Sequence, residues 1–325
     1  MNQIESEVIK TVKYFAFFKY PPSFDQIHEF LGIKISDTNL KSTLDRMVLN
    51  KKLISSKKRF LAPLEMTMPL NSEYRIQNTQ YYTIPPHRIY YKNRLKNQKD
   101  SLIKENITAN YIRLISHLPQ IKLIGYSGSI AMKNTESDDD IDLFIITTAN
   151  RIWTARFLAN IIAIVLRIKR SRLDRIGANK ICLNMFFDER DLILPLAKHN
   201  NYTAHEVLQM RPVVVKEDIY QRFISANSWV FQFFPNAKDS LKFRVQNSEL
   251  KFRIYNSRFL KILNSKFLIL NLVGDSIELI LKHLQLAVIN RHRTCEIITD
   301  TQLWFFPDDF EKTLINTDLV IDSHS

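Results

Sequence analysis

The stretch Ile121-Lys122-Leu123-Ile124-Gly125-Tyr126-Ser127-Gly128-Ser129, followed after a ten-residue spacer by Asp140-Ile141-Asp142-Leu143-Phe144-Ile145-Ile146, decides how this chain is read. Two apolar runs of strand length flank a Gly-Ser pair and an acidic turn. In extended backbone, residues two apart project to the same face, so Asp140 and Asp142 point together while Ile141 and Leu143 enter the core. Two hard oxygen ligands on a rigid strand suit Mg²⁺ or Mn²⁺ and leave positions open for phosphate oxygens. Two such ions about 3.5–4 Å apart would stabilise both the entering and leaving oxygens of an in-line displacement. Upstream, Gly128 lets backbone N–H groups approach a phosphate closely, and Ser129 adds a hydroxyl at the start of a helix expected near Ile130.

The order apolar strand, Gly-Ser, spacer, Asp-x-Asp in an apolar strand resembles the signature of polymerase-β-type nucleotidyltransferases. The resemblance implies that Gly128 and Ser129 bind the phosphates of a nucleoside triphosphate and that Asp140 and Asp142 bind the metals. A solvated acidic turn entering an ordinary buried strand would carry the same aspartate run, and its coincidence with Gly-Ser one short helix upstream favours the functional reading. Asp138 and Asp139 are read as capping the spacer or facing solvent. Beyond the motif, the arrangement of the whole chain is similar to prokaryotic proteins described only as nucleotidyltransferase-domain proteins, a resemblance that brings no substrate with it.

Many members of that superfamily carry a third carboxylate on a later strand, where it activates the attacking hydroxyl. The corresponding strand is Lys180-Ile181-Cys182-Leu183-Asn184-Met185-Phe186-Phe187, whose central polar residue is Asn184, an amide that cannot serve as a base. Regular alternation would put Asn184, Phe186 and Asp188 on one face, so Asp188 is the candidate substitute and Glu189 a weaker one. The departure leaves two readings: an enzyme without a base on this strand, or a catalytically degenerate nucleotide sensor or regulator.

At 325 residues and 45% hydrophobic content, the chain is long enough for two or three cores, and its reading is α+β. The expected divisions are a winged-helix-like domain over 1–85, a nucleotidyltransferase core with a leading helix over 86–200, and a mainly helical region over 201–325. Cys182 and Cys295 lack metal-ligand spacing, which fits a reducing, cytoplasmic setting. The apolar stretch from Ile152 to Ile168 is interrupted by Arg156 and Asn160 and is short for a bilayer, so it reads as a buried helix and no membrane partner is expected. Phe259 to Val273, broken by Lys261, Asn264, Lys266 and Asn271, reads the same way.

A formal net charge of +13 points to an anionic partner, RNA or another polyanion among them. Basic residues cluster at Arg88, Lys92, Arg94, Lys96 and Lys99, interleaved by Tyr90 and Tyr91, and again at Arg167, Lys169, Arg170, Arg172 and Arg175. Toward the N-terminus, helical spacing over residues 4–18, a helix after Ser23 and another starting at Ser36 or Asp37 precede two strand candidates, an order that resembles a winged helix. Such a module implies contact with DNA or with a protein. Further on, Thr203 and Glu206 read as the cap and third residue of a helix, and His205 as surface, since Gln209 at i+4 offers no second imidazole.

Overall fold

The computed structural model describes residues 2–63, 74–85, 87, 90–170, 178–239, 241, 274–291, 293–294 and 296–305. Its architecture is α+β: helices pack on both faces of a six-stranded mixed sheet, and three helices with a two-stranded antiparallel hairpin precede it. The leading helices are α1 (Gln3–Phe17), α2 (Phe24–Glu29) and α3 (Asp37–Leu49), and the hairpin is β1 (Ile54–Pro63) with β2 (Tyr74–Thr83). Ser23 closes a full capping box on α2 with Gln26, and the Ser36 hydroxyl accepts the Asn39 N–H at the head of α3. Val8, Val12, Ile27, Leu40 and Leu44 meet between the three helices.

How α1 ends matters for the site. Lys19 takes a left-handed φ of 54° where glycine is usual, its N–H reaches the Ala16 carbonyl at 2.9 Å, and the Tyr20 N–H reaches the Phe15 carbonyl at 3.0 Å. This paired closure is a Schellman turn, completed by the Tyr20 ring stacking on Phe15 at 5.4 Å. The chain is thereby folded back so that Tyr20 and Phe18 face the sheet domain.

The long helix α4 (Tyr90–Ser116) leads into β3 (Ile121–Tyr126), the one-turn helix α5 (Gly128–Ala131) and β4 (Ile141–Thr147). Then follow α6 (Ile152–Val165), β5 (Ile181–Asp188), α7 (Asn201–Gln209), β6 (Arg211–Val215), α8 (Ile219–Ala226), α9 (Val230–Phe233), α10 (Gly274–Asn290), β7 (Ile297–Ile298) and β8 (Gln302–Trp304). The sheet order is β6-β3-β4-β5-β8-β7, with β4 and β5 parallel and every other pair antiparallel. Alternation along β4 sends Ile141, Leu143 and Ile145 to α4 and α6 on one face, and Phe144 and Ile146 to α1, α7 and α8 on the other.

Beside its helices, the region over 201–325 also contributes β6, β7 and β8 to the sheet. Strands of two to five residues are too short to show a period in sequence, and Pro212 is tolerated in β6 because that strand lies at the sheet edge. Tyr14, Phe144 and Phe223 belong to one hydrophobic cluster, so packing crosses the boundaries drawn at residues 85 and 200. The apolar stretch after Ile152 is α6, and among the described residues no helix is long and apolar enough to cross a membrane. Glu278 of α10 accepts the Trp153 and Thr154 N–H groups at 2.6 and 2.9 Å, satisfying the first turn of α6.

In the first basic cluster, one of the cations turns inward. Arg94 is buried, its guanidinium 3.6 Å over the Tyr20 ring and donating to the Met132 and Lys133 carbonyls, and the buried Tyr91 donates to the Ile54 carbonyl at 2.7 Å. Lys92, Lys96 and Lys99 are exposed. Arg88, Arg172, Arg175, Cys295, the run from Phe259 to Val273 and the tail after Asn316 lie outside the described residues.

Candidate functional site

Strands β3 and β4 run antiparallel, so the turn leaving β3 returns beside the start of β4, and the Ser127 N–H bonds the Asp142 carbonyl at 3.1 Å. Gly128 sits at φ +59°, and a Cβ placed there would lie 2.8 Å from Asp142 Oδ2. Both the left-handed backbone and the close approach of a carboxylate therefore call for glycine at this position.

Asp140, Asp142 and Cys182 present ligand atoms within 4.8 Å of one another. Their convergence follows from register, because Asp142 pairs directly with Cys182 across β4 and β5. Burial and then the nearby Asp140 charge hold the Asp142 carboxyl well above the usual carboxylate range. Asn184 Nδ2 donates to Asp142 Oδ1, and Arg170 forms an ion pair with Asp140. Burial, followed by the two aspartates, also pushes the Cys182 thiol up, so it stands as a neutral S–H donating to Asn184 Oδ1 at 2.5 Å. Two carboxylates that repel each other on a rigid edge, with one guanidinium as counter-charge, form a donor set that fits a hard divalent cation.

The spacer is held from behind. Asp139 Oδ2 accepts the Ser129 hydroxyl at 3.0 Å and the Glu136 N–H at 2.9 Å, the capping role expected for this aspartate. Lys104 of α4, buried to 1% exposure, donates to the carbonyls of Ser137 and Asp139, and burial lowers its pKa. A helix lysine in a run of polar residues gives no sequence signal for this clamp.

Asp188 is not at the site. A register shift between Leu143 and Phe144 leaves Asn184 and Met185 both lining the cavity; Phe186 then packs with the α4 and α6 layer and Phe187 with the opposite one. The bulge reverses the alternation on which the Asp188 reading rested. Asp188 also lies six residues beyond Cys182, roughly 20 Å along the strand. It is fully buried there, accepting Arg190 Nε and Nη2 at 2.9 Å each and the Asn150 N–H at 2.7 Å. Glu189 accepts the Ala149 N–H at 3.1 Å and pairs with Arg222 at that same far end.

The aspartates, Ser127, Gly128 and Ser129 line a cavity of about 620 Å³. Its walls include Tyr14, Phe18 and Lys19 from the end of α1, Asn184 and Met185 from β5, and Glu206 and Met210 from the α7 region. The N-terminal helices thus build part of the site. Their seating is specific: Tyr20 Oη donates to the Met132 carbonyl at 3.1 Å, Asn134 Nδ2 donates to the Phe18 carbonyl at 3.1 Å, and the His205 ring stacks between Tyr14 at 3.6 Å and Phe30 at 4.5 Å. Burial drives the His205 pKa well below 6.5, so the ring is neutral at this junction.

Helix α7 begins one turn earlier than its sequence suggests. Asn200 is the cap, accepting the Thr203 N–H at 2.9 Å, so Glu206 is not the partner of a Thr203 capping box. His205 faces the N-terminal helices, and Glu206 faces the cavity. Burial raises the Glu206 carboxyl to about 7, partly offset by the nearby Gly128 backbone N–H. Glu206 in turn adds to the repulsion felt by Asp142. Sequence reading missed this third acidic group because a capping box and a cavity carboxylate look alike until the helix start is fixed.

Comparison with protein families, curated proteins and solved structures finds no match for this chain.

Proposed function

We propose that this protein is a metal-dependent nucleotidyltransferase that moves a nucleoside monophosphate from a nucleoside triphosphate to an acceptor and releases pyrophosphate. The observation that carries this reading is the convergence of Asp140 and Asp142 beside the left-handed Gly128 turn, in a cavity of ligand size. Asp140 and Asp142 would hold Mg²⁺ or Mn²⁺, whose bound charge offsets that of the phosphates. The backbone at Gly128 and Ser129 would receive the β- and γ-phosphates. An acceptor oxygen then attacks the α-phosphorus, the bond to the bridging oxygen breaks, and positioning supplies most of the rate. RNA, another polyanion, a protein side chain and a small molecule are the acceptor classes to be tried.

The test is incubation of wild-type protein and Asp142→Asn with each α-labelled triphosphate, Mg²⁺ or Mn²⁺, and RNA or cell extract. Transfer by the wild type and a loss of at least about 100-fold in the variant is the expected outcome. Transfer retained by Asp142→Asn would remove the role assigned to that residue.

A second reading is supported by β5, where the central polar residue is Asn184 and the acidic residue that follows on the strand points elsewhere. A nucleotide sensor without turnover would bind metal and triphosphate at the same place, and its N-terminal helices would then contact DNA or a protein. Metal-dependent nucleotide binding with no label transferred to any acceptor selects this alternative.

A further inference from the structure

Cys182 is joined to the aspartate pair by strand pairing and not by sequence spacing, so no motif announces it. Parallel register sets it directly across from Asp142, and all three side chains line the cavity. Its sulfur and one oxygen of each aspartate lie within 4.8 Å of one another, a spacing that small side-chain shifts bring within reach of a single ion. A second observation, independent of these three residues, points to a ligand at the same place. Ser127, 5% exposed and on the same cavity wall, has a hydroxyl with no hydrogen-bond partner, and its N–H bonds the Asp142 carbonyl at 3.1 Å. Buried polar groups left unsatisfied in this way are uncommon and mark places where a ligand or ion completes the bonding.

We propose that Cys182 is the third ligand of the cation held by Asp140 and Asp142, so that the site selects a thiophilic divalent ion of the zinc type over Mg²⁺. This rests on the metal-binding reading of the two aspartates and narrows the cation they take. Carboxylates alone suit Mg²⁺, whereas sulfur in the ligand set shifts the preference toward Zn²⁺ and Co²⁺. Three protein ligands also leave a tetrahedral ion one open position. The two carboxylates keep the thiol neutral only while no cation offsets them. When a divalent ion binds, the S–H bond breaks, its electron pair stays on sulfur as the bond to the metal, and the proton leaves to solvent. Asn184 donates to Asp142 and accepts from Cys182, so one amide orients two of the three ligands. Arg170, the present counter-charge of Asp140, is 41% exposed and can turn outward as the ion takes over that role. Lys19 and Lys198 line the same cavity and suit an anionic ligand arriving with the metal.

Co²⁺ reports thiolate ligation directly, through a sulfur-to-metal charge-transfer band in the near ultraviolet. Protein carrying Cys295→Ser, which removes the second cysteine, should develop this band to saturation at one equivalent of Co²⁺. Zn²⁺ should abolish the band, and a large excess of Mg²⁺ should leave it in place. Adding Cys182→Ser should remove the band and weaken Co²⁺ binding, measured by calorimetry, at least about tenfold. Adding Asp142→Asn instead should also lose it. Co²⁺ bound without the band, a band that persists in Asp142→Asn, or displacement by Mg²⁺ overturns the proposal. The band is read in protein whose site is unaltered, so the result stands even where Cys182→Ser does not fold. If calorimetry finds that Co²⁺, Mn²⁺ and Mg²⁺ all fail to bind, the metal reading of the aspartates itself fails and this inference falls with it, an outcome distinct from the others.

Discussion

Asp142 and Asp188 stand near opposite ends of the same parallel strand pair, and the protein treats them in opposite ways. Asp188 is fully buried and fully answered: Arg190 clasps it from two nitrogens and two backbone N–H groups complete its shell. Asp142 receives an amide hydrogen bond from Asn184, faces a like charge at Asp140, and feels Glu206 as well. A buried carboxylate with a complete donor set stabilises the fold; one crowded by its own kind is maintained at the expense of stability, as sites for cations and phosphates are.

The largest effect should come from exchanging the roles. Asp188→Asn takes a charge from a buried, bidentate pair and should destabilise the protein by about 3 kcal/mol, read as a shift in the urea midpoint. Asp142→Asn should leave the midpoint unchanged or raise it while abolishing Mn²⁺ binding. Equal losses at both positions would break the comparison.

A smaller, pH-dependent effect should appear at Glu206. The folded carboxyl keeps its proton up to about pH 7, whereas the unfolded chain releases it near 4.5, so stability contributed by this group falls as pH rises between those values. Glu206→Gln should therefore raise the metal-free stability by about 2 kcal/mol at pH 8 and scarcely change it at pH 4. Melting curves at the two pH values measure the difference, and a pH-independent shift would mean that charge burial is not the cause.

The smallest expected change is Gly128→Ala, at about 1–2 kcal/mol for forcing a side chain into the left-handed region. Its added methyl meets Asp142 Oδ2, so Mn²⁺ binding should weaken disproportionately to the loss of stability. An alanine variant with wild-type metal affinity would show that the turn and the aspartate are not mechanically linked.

Much of this site was legible because it is local. Gly128, Asp140 and Asp142 lie within one strand-turn-strand unit, where period-two alternation and a glycine turn fix their relation through covalent geometry. Ser23 and Ser36 were equally readable as helix caps. Asp188 was misplaced for a reason the sequence hides: one bulge in β5 reverses the alternation, and nothing in Asn184-Met185-Phe186-Phe187 announces it. Lys104 and Arg94 read as ordinary helix charges, yet they hold the spacer through contacts 33 to 39 positions distant in the chain, and Arg94 also seats the N-terminal helices through the Tyr20 ring.

By itself, then, the sequence determined the α+β class, the two strands that became β3 and β4, and the aspartate pair, since each depends on interactions within a few dozen residues. Only the tertiary structure decided that Tyr14, Phe18 and Lys19 would wall the cavity, that edge strands from residues 211–215 and 297–304 would complete the sheet, and that Glu206 would turn toward Gly128. Those outcomes depend on which faces bury together across roughly 80 to 200 residues of chain, and hydrophobic packing, being non-directional, leaves no local mark of its partner.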